Sequence, residues 1–123
     1  SSDNVKMYSF YNIEGDEEKV SGYGYQVGAF INLGNALHLM NKLTKDGFRV
    51  YTQAIYTDDI NLRFKTSINY KFHRVLVFAG LDETRAYQIQ QTLLKSGYEI
   101  IVKEDFTNES KYIIPVADRI KFK

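Results

Sequence analysis

Two histidines, two acidic runs and one glycine-rich stretch are the places where this 123-residue chain could do chemistry. Neither His38 nor His73 has a carboxylate or a second histidine at metal-ligand spacing, and there is no cysteine to supply a thiolate. A zinc site, a catalytic triad and a disulfide therefore all lack their residues. The run EGDEE (14–18) and the pair Asp58-Asp59 lie in turn-like contexts, where adjacent acids are ordinary solvated turn formers. Glycoside hydrolysis instead needs two carboxylates held about 5 to 10 Å apart across a cleft. In SGYGYQVGAF (21–30) the pattern Gly22-x-Gly24-x-x-x-Gly28 misses the dinucleotide spacing, and its glycines fall inside a strand-like alternation rather than between strand and helix. The expectation is a protein that is not an enzyme and uses no metal or cofactor.

A binding set remains. Gln26, Gly28, Phe30, Tyr51, Gln53, Phe72 and Arg74 fall on one face of a predicted sheet. Rings offer flat apolar surfaces to sugar C–H groups, amides match hydroxyl and N-acetyl groups, and arginine can pair with a carboxylate. The same kit could stack single-stranded nucleic acid. However, KFHRVLVF (71–78) lacks the RNP1 pattern, and a net charge of +1 gives no field to hold a polyanion. Nucleic acid is excluded on that ground.

The elements that must position this set come as a repeat. An offset of 50 residues aligns 23–53 with 73–103, matching Val27 to Val77, Ala29 to Ala79, Ala36 to Ala86, Leu43 to Leu93, Lys45 to Lys95 and Gly47 to Gly97. Each copy begins with an alternating strand, then places Asn32 or Asp82 where a side-chain oxygen caps a helix. Apolar residues follow at helical spacing (Ala36, Leu39, Leu43 and Ala86, Ile89, Leu93) before Gly47 or Gly97 ends the helix and a second strand starts. The pattern predicts an α+β domain: βαββαβ, a four-stranded antiparallel sheet of order 4-1-3-2 in the split-βαβ, ferredoxin-like arrangement, with both helices on one face. Strict alternation assigns Tyr23, Tyr25, Val27, Ala29, Phe48, Val50, Val75, Val77, Tyr98, Ile100 and Val102 to the helix side. It assigns the seven binding residues, with Arg49, Leu76, Phe78, Glu99, Ile101 and Lys103, to the open side.

The stretch YGYQVGAFINLGNALHLMNKLTKDGFRVY (23–51) resembles the first half of a SPOR (sporulation-related repeat) domain in its Gln-Val-Gly-Ala-Phe strand end, its Asn-Ala helix start and its Gly-aromatic exit. The resemblance covers about 23–103. The second half diverges, with Val77-Phe78-Ala79-Gly80 where the family has Val-Gly-Pro-Phe, and a long linker over 57–71. The resemblance implies a non-catalytic βαββαβ module of the bacterial cell envelope, of the kind found on division and lytic proteins. It implies binding to peptidoglycan glycan strands stripped of stem peptides, with Gln26, Phe72 and Arg74 matching the family's binding positions and Arg74 available to a lactyl carboxylate.

The chain is expected to divide into an N-terminal extension (1–22), the SPOR-like domain (23–104) and a C-terminal extension (105–123). The strand-like segments 5–13 and 111–122 could lie across the apolar residues Leu76, Phe78 and Ile101 of the open face. The alternative to glycan binding is therefore a protein–protein interaction domain, with another envelope protein as partner and that face covered or used as the interface. No apolar run approaches the length of a membrane span, so no direct membrane insertion is expected of it. The opening Ser1-Ser2-Asp3 reads as an excised piece of a larger anchored or secreted, periplasmic protein.

Overall fold

The computed structural model describes the backbone of residues 8–61, 66–106 and 112–115 and the side chains of 8–55 and 71–106. The side chains of Asp58-Asp59 and of most of the 57–71 linker, and the outer parts of segments 5–13 and 111–122, lie outside the described residues. Among the described residues, seven strands and two helices follow one another as β1 (Tyr8–Tyr11), β2 (Glu17–Val20), β3 (Tyr23–Phe30), α1 (Leu33–Lys45), β4 (Val50–Asn61), β5 (Thr66–Gly80), α2 (Glu83–Lys95), β6 (Val102–Asp105) and β7 (Tyr112–Pro115).

Both helices form where capping chemistry and apolar spacing coincide. Asn32 Oδ1 accepts from the Asn35 amide at 3.2 Å, and Asp82 Oδ1 from the Thr84 amide at 2.8 Å. Both helices end alike. Gly47 and Gly97 take φ of 93° and 88°, and the next amides, of Phe48 and Tyr98, donate back to Leu43 and Leu93. The apolar stripes Ala36, Met40, Leu43 and Ala86, Leu93 are buried against Tyr25, Val50, Val75, Val77 and Ile100. The repeat is visible in packing too: Phe48 and Tyr98, equivalent positions of the two copies, meet edge to face with centroids 6.1 Å apart.

All strand pairs are antiparallel, and the sheet order is β2-β1-β4-β5-β3-β6-β7. Its middle, β4-β5-β3-β6, has the order expected for the four repeat strands. The expected four-stranded sheet is nevertheless a correction, because β1 and β2 extend it beyond β4 and β7 beyond β6. The described parts of the 57–71 linker are strand: β4 and β5 stay in register from Val50↔Val77 out to Asn61↔Thr66.

Two irregularities move side chains off the face that strict alternation assigns; a third register shift, between Tyr23 and Gly24, leaves both residues on their expected sides. Along β3 the partner of Gln26 is Leu76 while that of Gly28 is Val75, so Val27 is the extra residue of a β-bulge. Beyond the bulge every side chain changes face. A Cβ at Gly28 would lie 2.9 Å from Leu39 of α1, Phe30 packs into the helix-side core, and Ala29 falls in the row of Arg74 on the other side. The second irregularity lies between Ile100, buried under the helices, and Val102, which stands opposite Gln26. It moves Val102 and Glu104 to the face expected for Ile101 and Lys103.

The buried Tyr25 hydroxyl donates to the Ala86 carbonyl at 2.6 Å, and burial pushes its pKa up to about 12 from an ordinary 10.0. The Tyr98 phenol is likewise pushed up to about 12 by burial and by its hydrogen bond to Asp46. Because the folded state holds these protons more tightly, their contribution to stability is complete below about pH 10 and disappears as the pH rises toward about 12. Urea midpoints measured across that window are expected to fall steeply in the wild type and less steeply in Tyr25→Phe/Tyr98→Phe.

Candidate functional site

The face opposite the helices is divided in two. At one end the β1–β2 hairpin curls over the sheet, and Phe10, Val20, Tyr51, Leu76, Phe78 and Phe106 close into a second buried cluster with Tyr8 against it. Phe10 is the hub, its ring 4.9 Å from Phe78 and 5.2 Å from Phe106 edge to face. Gly24 is the reason Phe106 fits: a Cβ there would stand 3.1 Å from that ring. Glu18 of β2 accepts from the Tyr51 hydroxyl at 3.1 Å, and Arg49 Nε donates to the same oxygen at 2.8 Å, fastening the hairpin to β4.

Where the hairpin's cover stops, the face turns polar. Arg74 on β5 is only 9% exposed. Its Nη1 donates to Gln26 Oε1 on β3 at 3.2 Å, and its Nη2 to Gln53 Oε1 on β4 at 2.6 Å. Nη1 also lies 2.7 Å from Glu104 Oε2 on β6. This contact is an ion pair without hydrogen-bond alignment, and the Arg74 Nε–H is buried without a partner. One guanidinium thus gathers side chains from three other strands. A guanidinium only donates, so both amides must turn their oxygens inward and direct their NH2 groups away from it. Phe72, two residues along β5, is half-buried, with Ile55 as its strand partner.

Of the seven expected site residues, Gln26, Gln53, Phe72 and Arg74 come together. The other three do not. Gly28 and Phe30 lie on the helix side because of the Val27 bulge, and Tyr51 is 4% exposed beneath the hairpin. Strict alternation missed Glu104 altogether by carrying the helix-side phase of Ile100 through it; the only carboxylate it placed on this face was Glu99. The isolated glycine at 28 was the available signal for the bulge, since glycine inside a strand often marks one. Nothing in the residue pattern foretold the phase change at 101.

His38 is exposed on α1. His73 lies on the helix side, where burial first and Lys71 second hold its pKa below the ordinary value. It lines a groove of about 650 Å³ with Ile13, Leu33, Leu37, Ala54 and Lys71. Among the described residues no three His, Asp or Glu side chains gather as a metal site, and no helix is long and apolar enough to cross a membrane.

An antiparallel sheet backed by two helices thus carries, on its other face, a polar strip whose two amides turn their oxygens to one arginine. The chain belongs to the SPOR domain family, whose model matches residues 19–104. SPOR domains are peptidoglycan-binding modules of cell-envelope proteins. No curated protein and no solved structure matches the chain.

The buried pair makes a stability prediction. Glu104→Leu strands a charged guanidinium and is expected to cost about 3 to 5 kcal/mol. Arg74→Met/Glu104→Leu, which removes both charges, is expected to recover most of that loss in urea unfolding. A double variant no more stable than the single one would mean that the ion pair is not what holds this region.

Proposed function

We propose that this domain binds peptidoglycan glycan strands along the strip of Gln26, Gln53 and Phe72, with Arg74 beneath as the group that orients both amides. The observation that carries the reading is the pair of amide oxygens held by one buried guanidinium. Fixing both oxygens inward presents two preoriented NH2 donors on strands either side of β5, roughly 10 Å apart by two strand spacings. That separation suits acceptors on alternate sugars of an extended chain, such as N-acetyl carbonyls and hydroxyl oxygens. Phe72 adds a ring edge or face for sugar C–H groups. Because the donors are fixed before binding, little side-chain entropy is lost on contact.

In this reading the domain is a non-catalytic targeting module, facing the wall in the periplasmic space and delivering a larger division or lytic protein to glycan. The alternative, a protein interface on the apolar sheet residues, is less favoured. Leu76 and Phe78 are already covered by the chain's own Phe10 and Phe106, so a partner would have to displace them.

Gln26→Glu keeps an acceptor toward Arg74 and removes the outward donor. In protein that circular dichroism shows to be folded, co-sedimentation with amidase-treated sacculi is expected to weaken by roughly tenfold or more. Wild-type protein left in the supernatant would refute the reading.

A further inference from the structure

We propose that Glu104 sets what the strip reads: by neutralising Arg74 it leaves acceptor-bearing sugar to be recognised through the amides, with no affinity drawn from carboxylates. The proposal rests on the glycan-binding reading above and goes against the expectation that Arg74 pairs with a lactyl carboxylate. Arg74 offers five N–H donors. Two of its nitrogens are committed to Gln26, Gln53 and Glu104, and the third, Nε, is sealed from solvent. The two side chains are 11% and 4% accessible. An incoming carboxylate would therefore find a cation whose charge is already matched by Glu104, so that attraction to the one is offset by repulsion from the other.

The other cations nearby do not compensate. Arg49 shares the face but lies at the hairpin end, over the Tyr51 ring and joined through its hydroxyl to Glu18. Lys103 is in the row of Tyr25 and holds its ammonium 4.7 Å from the Tyr23 ring. Among the described residues the strip therefore presents amide donors and an aromatic ring without net positive charge. Sugar carbonyls, ring oxygens and hydroxyls fit that surface. A carboxylate on a muramyl unit gains nothing from it.

The test compares two tetrasaccharides by calorimetry on the whole chain: chitotetraose, which is neutral, and the alternating N-acetylglucosamine–N-acetylmuramic acid chain, which carries free lactyl carboxylates. The wild type is expected to bind the two within roughly threefold of each other, with little change from low to high salt. Glu104→Gln uncovers the Arg74 charge and is expected to shift the ratio at least about tenfold toward the carboxylate-bearing chain, with the gain screened by salt. A wild type that already prefers the carboxylates tenfold, or a folded Glu104→Gln with an unchanged ratio, would overturn the role of Glu104 and leave glycan binding standing. Failure of the wild type to bind either sugar would overturn both. Should Glu104→Gln not fold, the wild type alone remains decisive: near-equal, salt-insensitive binding supports the role of Glu104, and a salt-screened preference for carboxylates overturns it.

Discussion

Strand β5 is apolar on both faces, and the rest of the molecule follows from having to cover it twice. Val75, Val77 and Ala79 look toward the helices, while Leu76 and Phe78 look the other way, and all five are buried. A sheet with helices on one side ordinarily leaves its other face wet and polar. Here that face holds Leu76, Phe78 and Tyr51, and leaving such side chains in water would forfeit roughly 2 kcal/mol or more for each. The second cover comes from within the chain, as β1 and β2 add to the sheet edge and bend Phe10 over it while Phe106 closes from the β6 side.

The position of the polar strip follows from where this second cover ends. The hairpin meets β4 at one residue pair, Tyr11↔Thr52, and then turns away through Asn12, whose Oδ1 accepts from the Glu14 and Asp16 amides. Beyond that point no aromatic cluster closes over the face among the described residues, and Arg74 takes over as its organising group. A buried guanidinium is costly unless its charge and its donors are met. Glu104 meets the charge, and the oxygens of Gln26 and Gln53 meet donors. The amides are thereby fixed by the needs of the arginine, with their oxygens turned toward it. At 9% exposure the arginine organises this surface from beneath more than it forms part of it.

The glycines first suggestive of a phosphate loop have a mechanical explanation instead. Gly24 leaves room for the Phe106 ring, Gly28 for Leu39 and Phe30, and Gly22, at φ 127°, for the backbone of Gly80. Each marks a close approach of another part of the chain. They belong to the packing that the two covers require, and no backbone cradle for a nucleotide is formed.

Features that depend on local chemistry could be read directly along the chain: the two helices with their Asn32 and Asp82 caps, the glycine exits, the repeat, the middle strand order and most of the residues under the helices, Ala29 and Val102 excepted. Those signals are legible because capping and amphipathic spacing act over a few residues. Long-range pairing set the rest. The Val27 bulge took Gly28 and Phe30 off the open face, and the phase change after Ile100 brought Glu104 onto it. The hairpin hid Tyr51, so Gln26, Gln53, Phe72 and Arg74 alone were left together. A period of two carries side-chain direction only as far as the next irregularity, and whether a strand inserts an extra residue is settled by the neighbour it must pair with. The pairing of Arg74 with Glu104, thirty residues later in the chain, depends on two strand registers at once, and no local pattern encodes it.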